Sequence, residues 1–281
     1  MSPSVPVGIG YRRELHDALL SAQPSIVDFV ELAPENFAGV GGAWRRRLEK
    51  IRQRWPVITH GLAMSLGSPD PLNREHLETV SSFVEAVGSP HHSDHLCASG
   101  AHGVHLHELL PVPMNKESAQ AIADKIKQVQ NNLGVPFAIE NVSAYALLPD
   151  NTLSEADFVS EVVSRADCRL LLDVNNIYVN AFNFGLDPLE QLRRFPLDAT
   201  IQIHIAGFDQ ESDDLLIDTH GSAVASGVWP LLEEALQHTG RVPVLLERDQ
   251  GFPDNFQELL NELDHIRAIA GRVFPSSQAA P

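Results

Sequence analysis

Short runs of aliphatic and β-branched residues recur along this chain. Each is followed by a longer stretch with the three-to-four-residue spacing of an amphipathic helix. The strand-like runs are Val7–Tyr11, Ile26–Leu32, Val57–Leu62, His91–Cys97, Phe137–Val142, Leu170–Val174, Thr200–Ala206 and Val244–Asp249. The helical patterns between them include Ala43–Arg54, Arg74–Val87, Lys116–Leu133, Ser154–Arg165, Val228–His238 and Asn255–Ile269. Strands that alternate with helices pair in parallel through right-handed crossovers. Eight such units in 281 residues match a single (β/α)8 TIM barrel of the α/β class, typically about 250 residues. An open doubly wound sheet is the alternative, and the lack of a glycine-rich phosphate loop after the first strand speaks against it. One domain is expected over 1–272, with a disordered tail over 273–281.

In a TIM barrel the active site lies at the C-terminal strand ends. The third run ends Thr59-His60-Gly61 and the fourth Ser93-Asp94-His95-Leu96. The fifth ends Glu140-Asn141, the sixth Asp173-Val174-Asn175-Asn176, the seventh His204-Ile205 and the eighth Glu247-Arg248-Asp249. A loop after the seventh carries Asp218-Thr219-His220. One histidine or carboxylate at a strand end is most often a satisfied polar residue. Six successive ends are another matter, because carboxylates that a barrel brings face to face must take up protons or cations. Imidazole and carboxylate without thiolate suit Fe, Mn, Zn or Co. A single ion needs about three or four protein ligands, so His60, His95, Glu140, Asp173, His204, Asp218, His220 and Glu247 exceed one site and point to a cluster.

Composition narrows the partners. The formal net charge of −17 argues against a nucleic-acid surface, which would show a basic face. The basic run Trp44-Arg45-Arg46-Arg47 reads as a solvated helix face. No run approaches ~18 apolar residues, so no membrane span is expected. The start has no secretory pattern, and the two cysteines, Cys97 and Cys168, read as reduced thiols in a cytoplasmic protein. Cys97 reads as a small buried residue. The histidines His91, His92, His102, His105 and His107 crowd around the end of the fourth run and are expected on a solvent-facing loop.

The ordered series of strand-end motifs, from about Gly8 to Ile269, resembles the multinuclear non-heme iron-dependent oxidases. The resemblance implies a TIM barrel that binds two or three irons, mixed Fe(II)/Fe(III), with dioxygen as co-substrate. It implies a cysteine-containing, ribosomally made precursor peptide as substrate and a small leader-recognising partner protein, in a heterodimer. The chemistry implied is thiolate binding to the iron centre and hydrogen abstraction from the cysteine β-carbon. Carried over by position, His60, His95, Glu140 and Glu247 would serve one iron. Glu140, Asp173, His204 and Glu247 would serve a second, with both glutamates bridging. Asn176, Asp218 and His220 would hold a third, with Asn175 the weaker of the two asparagines. Many relatives have a histidine after their first strand; here the start reads Gly8-Ile9-Gly10-Tyr11-Arg12-Arg13-Glu14-Leu15, and His16 does not match it.

Asp94, beside His95, and Asn141, beside Glu140, are candidates to orient ligands. Arg12 and Arg248 are candidates to hold a substrate carboxylate. A TIM-barrel isomerase or an endonuclease-like hydrolase is the rival. The isomerase reading needs a lysine near the metals, and none of Lys50, Lys116, Lys125 and Lys127 stands at a strand end. A metal-storage role would lack open coordination positions.

Overall fold

The eight predicted runs close on themselves. The computed structural model describes residues 4–275; positions 276–281, within the tail expected to be disordered, lie outside the described residues. In chain order the elements are β1 (Val7–Gly10), α1 (His16–Ser21), β2 (Phe29–Leu32), α2 (Gly42–Arg52), β3 (Val57–Gly61), α3 (Arg74–Val87), β4 (His92–His95), β5 (Ala98–Ala101), β6 (Val104–Leu110) and α4 (Lys116–Asn132). They continue with β7 (Phe137–Glu140), α5 (Glu155–Ala166), β8 (Arg169–Asp173), α6 (Val174–Asn183), α7 (Pro188–Arg194), β9 (Thr200–Ile205), β10 (Asp209–Ser212), β11 (Leu215–Ile217), α8 (Trp229–Thr239), β12 (Val244–Leu246) and α9 (Gln257–Val273). The closed parallel barrel runs β1-β2-β3-β4-β7-β8-β9-β12 and back to β1. Two antiparallel hairpins, β5–β6 and β10–β11, are inserted on the mouth side after β4 and β9.

The helices begin where polar side chains can satisfy free N–H groups. Asn73, Asn115, Ser154, Asp173 and Asp187 accept from the backbone of the third residue beyond them and start α3, α4, α5, α6 and α7, each cap worth about 1 kcal/mol. The helices bury one stripe against the sheet: in α3 this is Leu77, Val80, Phe83 and Val84, the helical repeat of a core-facing face. The basic run of α2 leaves Arg45 and Arg46 in solvent. Among the described residues no helix is long and apolar enough to cross a membrane.

Alternation along each strand divides the buried residues into two populations. Ile9, Val30, Val57, Ile139, Leu170, Leu172, Ile203, Ile205, Val244 and Leu246 join the main core between sheet and helices. Phe29, Ile58 and Leu245 form a separate cluster inside the barrel. Gly8 makes room there, since a Cβ on it would lie 2.4 Å from the Phe29 ring. Two residues further along the strands, the interior turns polar.

Candidate metal centre

The polar layer consists of Glu31, His60, His95, Glu140, Asp173, His204 and Glu247, all buried or nearly so. Three contiguous donor groups can be drawn among them, His220 of the β11–α8 loop and Asp249 just past β12. His60, His95 and Glu140 form one; Glu140, Asp173, His204 and Glu247 the second; His220, Glu247 and Asp249 the third. Glu140 is therefore shared by the first two groups and Glu247 by the last two. The sequence-based division shared Glu247 between the His60–His95–Glu140 set and the Glu140–Asp173–His204 set; the structure groups it with the second of these and with His220 and Asp249.

Each donor is held by its local backbone. His60 Nδ1 contacts Ser93 Oγ at 2.8 Å, turning Nε2 toward His95 Nε2 at 3.3 Å and Glu140 Oε2 at 3.1 Å. Asp173 ends β8 and caps α6: its Oδ1 accepts from Asn176 N at 2.7 Å, leaving Oδ2 buried without a partner. Asn141 clamps this turn by donating to Asp173 O and accepting from Asp173 N, both at 2.9 Å. Asn176 donates to Asn141 O at 3.0 Å and keeps a buried, unpartnered Oδ1. Asn175 donates to Asp218 Oδ1 at 2.8 Å, and Asp218 lies 2.8 Å from His220 Nε2. His220 has φ +46, a left-handed backbone that costs a non-glycine residue about 1–3 kcal/mol.

The electrostatics follow from burial and pairing. Burial opposes a charged His60, but Glu140 outweighs it and pushes its pKa up to about 9. Burial likewise opposes charge on Glu140 and Glu247, yet the facing imidazoles hold both carboxylates below the usual range. Asp173, buried with Glu140 and Asp218 nearby, is pushed well above it.

Several sequence-based candidates stand elsewhere. Asp94 is on the opposite side of β4 from His95. Its carboxylate accepts from Met64 N and His95 N, and Gly61 is required beneath it, since a Cβ there would lie 2.4 Å from Oδ2. It braces the backbone of Met64 and of His95, and its Oδ1 lies 4.0 Å from His95 Nδ1. The Arg248 side chain points to α9 and pairs with Glu262 at 2.9 Å. Arg12 lies at the mouth, but its fork is occupied by Glu247 Oε1 at 3.0 Å and by Asp249. Both of these bonds from Arg12 leave its Nη2, and Arg248 uses only its Nη2, with a buried Nε that has no partner. His91 and His92 are buried in the barrel wall and not on a loop, and burial pushes His92 down to about 3. His102 is exposed on the β5–β6 turn, while the side chains of His105 and His107 lie outside the described ones. Cys97 and Cys168 are buried free thiols, with burial raising Cys168 to about 12.

Two residues were not picked out from the sequence. Asp249 belongs to the third donor group. Glu31 stands in the polar layer with Oε2 3.1 Å from His204 Nε2. The signal for Glu31 was the alternation itself: counting two residues on from the inward Phe29 reaches it.

The residues fit metal ions. Glu140 Oε2, Asp173 Oδ2, His204 Nδ1 and Asn176 Oδ1 are buried without a hydrogen-bond partner, at a cost of about 1–3 kcal/mol each if left so. A cation above the triangle of His60, His95 and Glu140 would be about 2 Å from each corner, the usual length of metal–imidazole and metal–carboxylate bonds. A cavity of about 230 Å³, lined by Arg12, Glu31, Asn36, His60, Leu62 and Asp249 among others, opens onto this layer.

The solved structure of a xylose isomerase domain protein from Planctomyces limnophilus shares the fold at a TM-score of 0.61 and 15% identity, covering 96% of this chain and 99% of its own. A UPF0276 protein of Shewanella sediminis is 41% identical over 266 residues, 95% of both chains. Another from Alcanivorax borkumensis is 42% identical over 287 residues, covering 98% of this chain and 94% of that protein. The family model described as RiPP precursor modification enzyme MbnB/TglH/ChrH matches residues 6–271, a span that takes in every donor of the three groups, and the chain belongs to that family.

Proposed function

We propose that this chain is an iron- and dioxygen-dependent oxidase that modifies cysteine residues of a ribosomally made precursor peptide, together with a small leader-recognising partner protein. The observation that carries the reading is the sharing of Glu140 and Glu247 among three adjoining donor groups. Shared carboxylates are what a multinuclear centre requires and a mononuclear one does not. Bound iron supplies one-electron and dioxygen chemistry that protein side chains lack.

The chain's own residues do the rest. His60, His95, Glu140, Asp173, His204, His220 and Glu247, with Asn176 and Asp218 beside them, hold the ions. Arg12 ties up one oxygen of Glu247 and turns the other toward His204 and His220 at 3.2 and 3.3 Å. The cavity of about 230 Å³ has room for a side chain and its flanking backbone, and Leu32, Ala33 and Leu62 give it one apolar wall. This suits an extended peptide that presents one cysteine. All four lysines lie on α2 and α4, outside the barrel, so nothing in the mouth offers the lysine an isomerase would use.

Protein purified from iron-replete, oxygen-poor cells is expected to carry two or three irons per chain. With its partner and a cysteine-containing peptide it should consume dioxygen and change the peptide's mass. Zinc alone, or one ion or none, would sink the reading.

A further inference from the structure

Beneath the donor groups a chain of polar side chains crosses the barrel. His91 Nε2 lies 2.7 Å from Gln202 Oε1, Gln202 Nε2 donates to Glu31 Oε2 at 2.5 Å, and His204 Nε2 is 3.1 Å from the same oxygen. All four residues are buried. Gln202 Nε2 is also 3.0 Å from His204 Nε2. The other ring nitrogen, His204 Nδ1, faces Glu140 Oε1 and Glu247 Oε2, each at 3.2 Å.

Donor and acceptor rules fix the assignment. A carboxylate only accepts and an amide N–H only donates. His91 holds the Gln202 carbonyl, so the amide N–H turns to Glu31. Glu31 then requires a proton on His204 Nε2. In the neutral ring this leaves the lone pair on Nδ1, aimed at two carboxylates, an arrangement that is favourable only with a cation between them. Without Glu31 the outcome reverses. The Gln202 amide, already within reach of His204 Nε2, would donate to it and place the proton on Nδ1, where no ion can then bind.

We propose that Glu31 is a positioning residue: with Gln202 and His91 it fixes the Nε2–H tautomer of His204 and so makes Nδ1 a metal ligand. This rests on the metal-centre reading above and adds a residue that none of the three donor groups contains. A partner of this kind on a ligating histidine is worth about 10–100-fold in metal affinity.

The test is titration of the purified chain with Co(II), followed by absorption and calorimetry. Wild type is expected to bind at least two ions. Glu31→Ala should weaken one of them by about 10–100-fold and leave the ion at His60, His95 and Glu140 unchanged. Glu31→Gln, which keeps an acceptor oxygen, should lose much less. In the Glu31→Ala background Gln202→Leu, which removes the misdirecting donor, should recover part of the loss. Equal affinities in wild type and Glu31→Ala, or a uniform weakening of every ion, would overturn the proposal. Fewer than two ions in wild type would instead remove the metal-centre reading on which it stands. An independent measurement needs no variant at position 31. Long-range proton–nitrogen spectra of the Zn(II)-loaded, histidine-labelled protein, with His204 assigned through His204→Gln, should show Nε2 protonated. A proton on Nδ1 overturns the proposal even if Glu31→Ala fails to fold.

Discussion

The two layers inside the barrel are built by the same strands two residues apart, yet they differ in chemistry. The lower layer is apolar on one side, where Phe29, Ile58 and Leu245 pack with Gly8 beneath the ring, and polar on the other, where Gln202 and His91 cross. The upper layer packs carboxylates against imidazoles, where like charges would drive the strands apart without protons or cations. The apolar side spends nothing on specificity and gives rigidity; the upper layer gives up apolar burial and gains a site.

The largest expected effect breaks the upper layer at its shared point. Glu140→Ala should cost more than one ion per chain by elemental analysis and abolish the peptide modification proposed above; loss of a single ion would contradict sharing. Breaking the lower layer should do the reverse. Phe29→Ala is expected to cost about 3–5 kcal/mol of stability, read from denaturant unfolding, with the metal content of the folded fraction unchanged. Arg248→Ala strands Glu262 in a mostly buried position and should cost about 3 kcal/mol without touching the ions; a loss of metal would return Arg248 to the site.

The smallest effect concerns a buried carboxylate that has no imidazole across from it. Burial pushes Glu155 up to about 7, with Asn180 only partly opposing. The folded chain thus holds this proton more tightly than the unfolded one. Its contribution is complete below the ordinary glutamate range and is lost as pH rises through 7. Glu155→Gln should therefore raise Tm at pH 8 and change it little at pH 5. An equal shift at both values would mean that the carboxylate is already solvated.

Alternation also explains which residues could be read in advance. α3 falls on its predicted bounds, Arg74–Val87, and the remaining predicted helices lie within a few residues of theirs, because one apolar stripe per helix is a strong signal. The donors at the ends of β3, β4, β7, β8 and β9 were equally plain, since barrel topology assigns strand ends to one face. Asp94 and Arg248 follow the same alternation: each is the neighbour of an inward residue and turns away from the barrel axis, Asp94 onto the backbone of Met64 and His95 and Arg248 onto Glu262. Glu31 obeys the same period, two residues beyond Phe29, but stands in no strand-end motif that marks it. The hairpins β5–β6 and β10–β11 carry polar and short apolar runs that stand on no shared core, so no periodicity announced them.

The ion pair between Arg12 and Glu247 joins residues 235 positions apart, one just past the first strand and the other just past the last. It staples the seam at which the barrel closes. The order in which the chain is made therefore matters to the centre. His60, His95 and Glu140 are all synthesised within the first half of the sequence, whereas Glu247 and Asp249 arrive almost last. A growing chain on the ribosome can gather the first donor group early, but it cannot complete the other two until the final strand has docked beside the first. Loading of the full centre is thus an event of the finished, closed barrel, and a truncated chain would be left with an unfinished site.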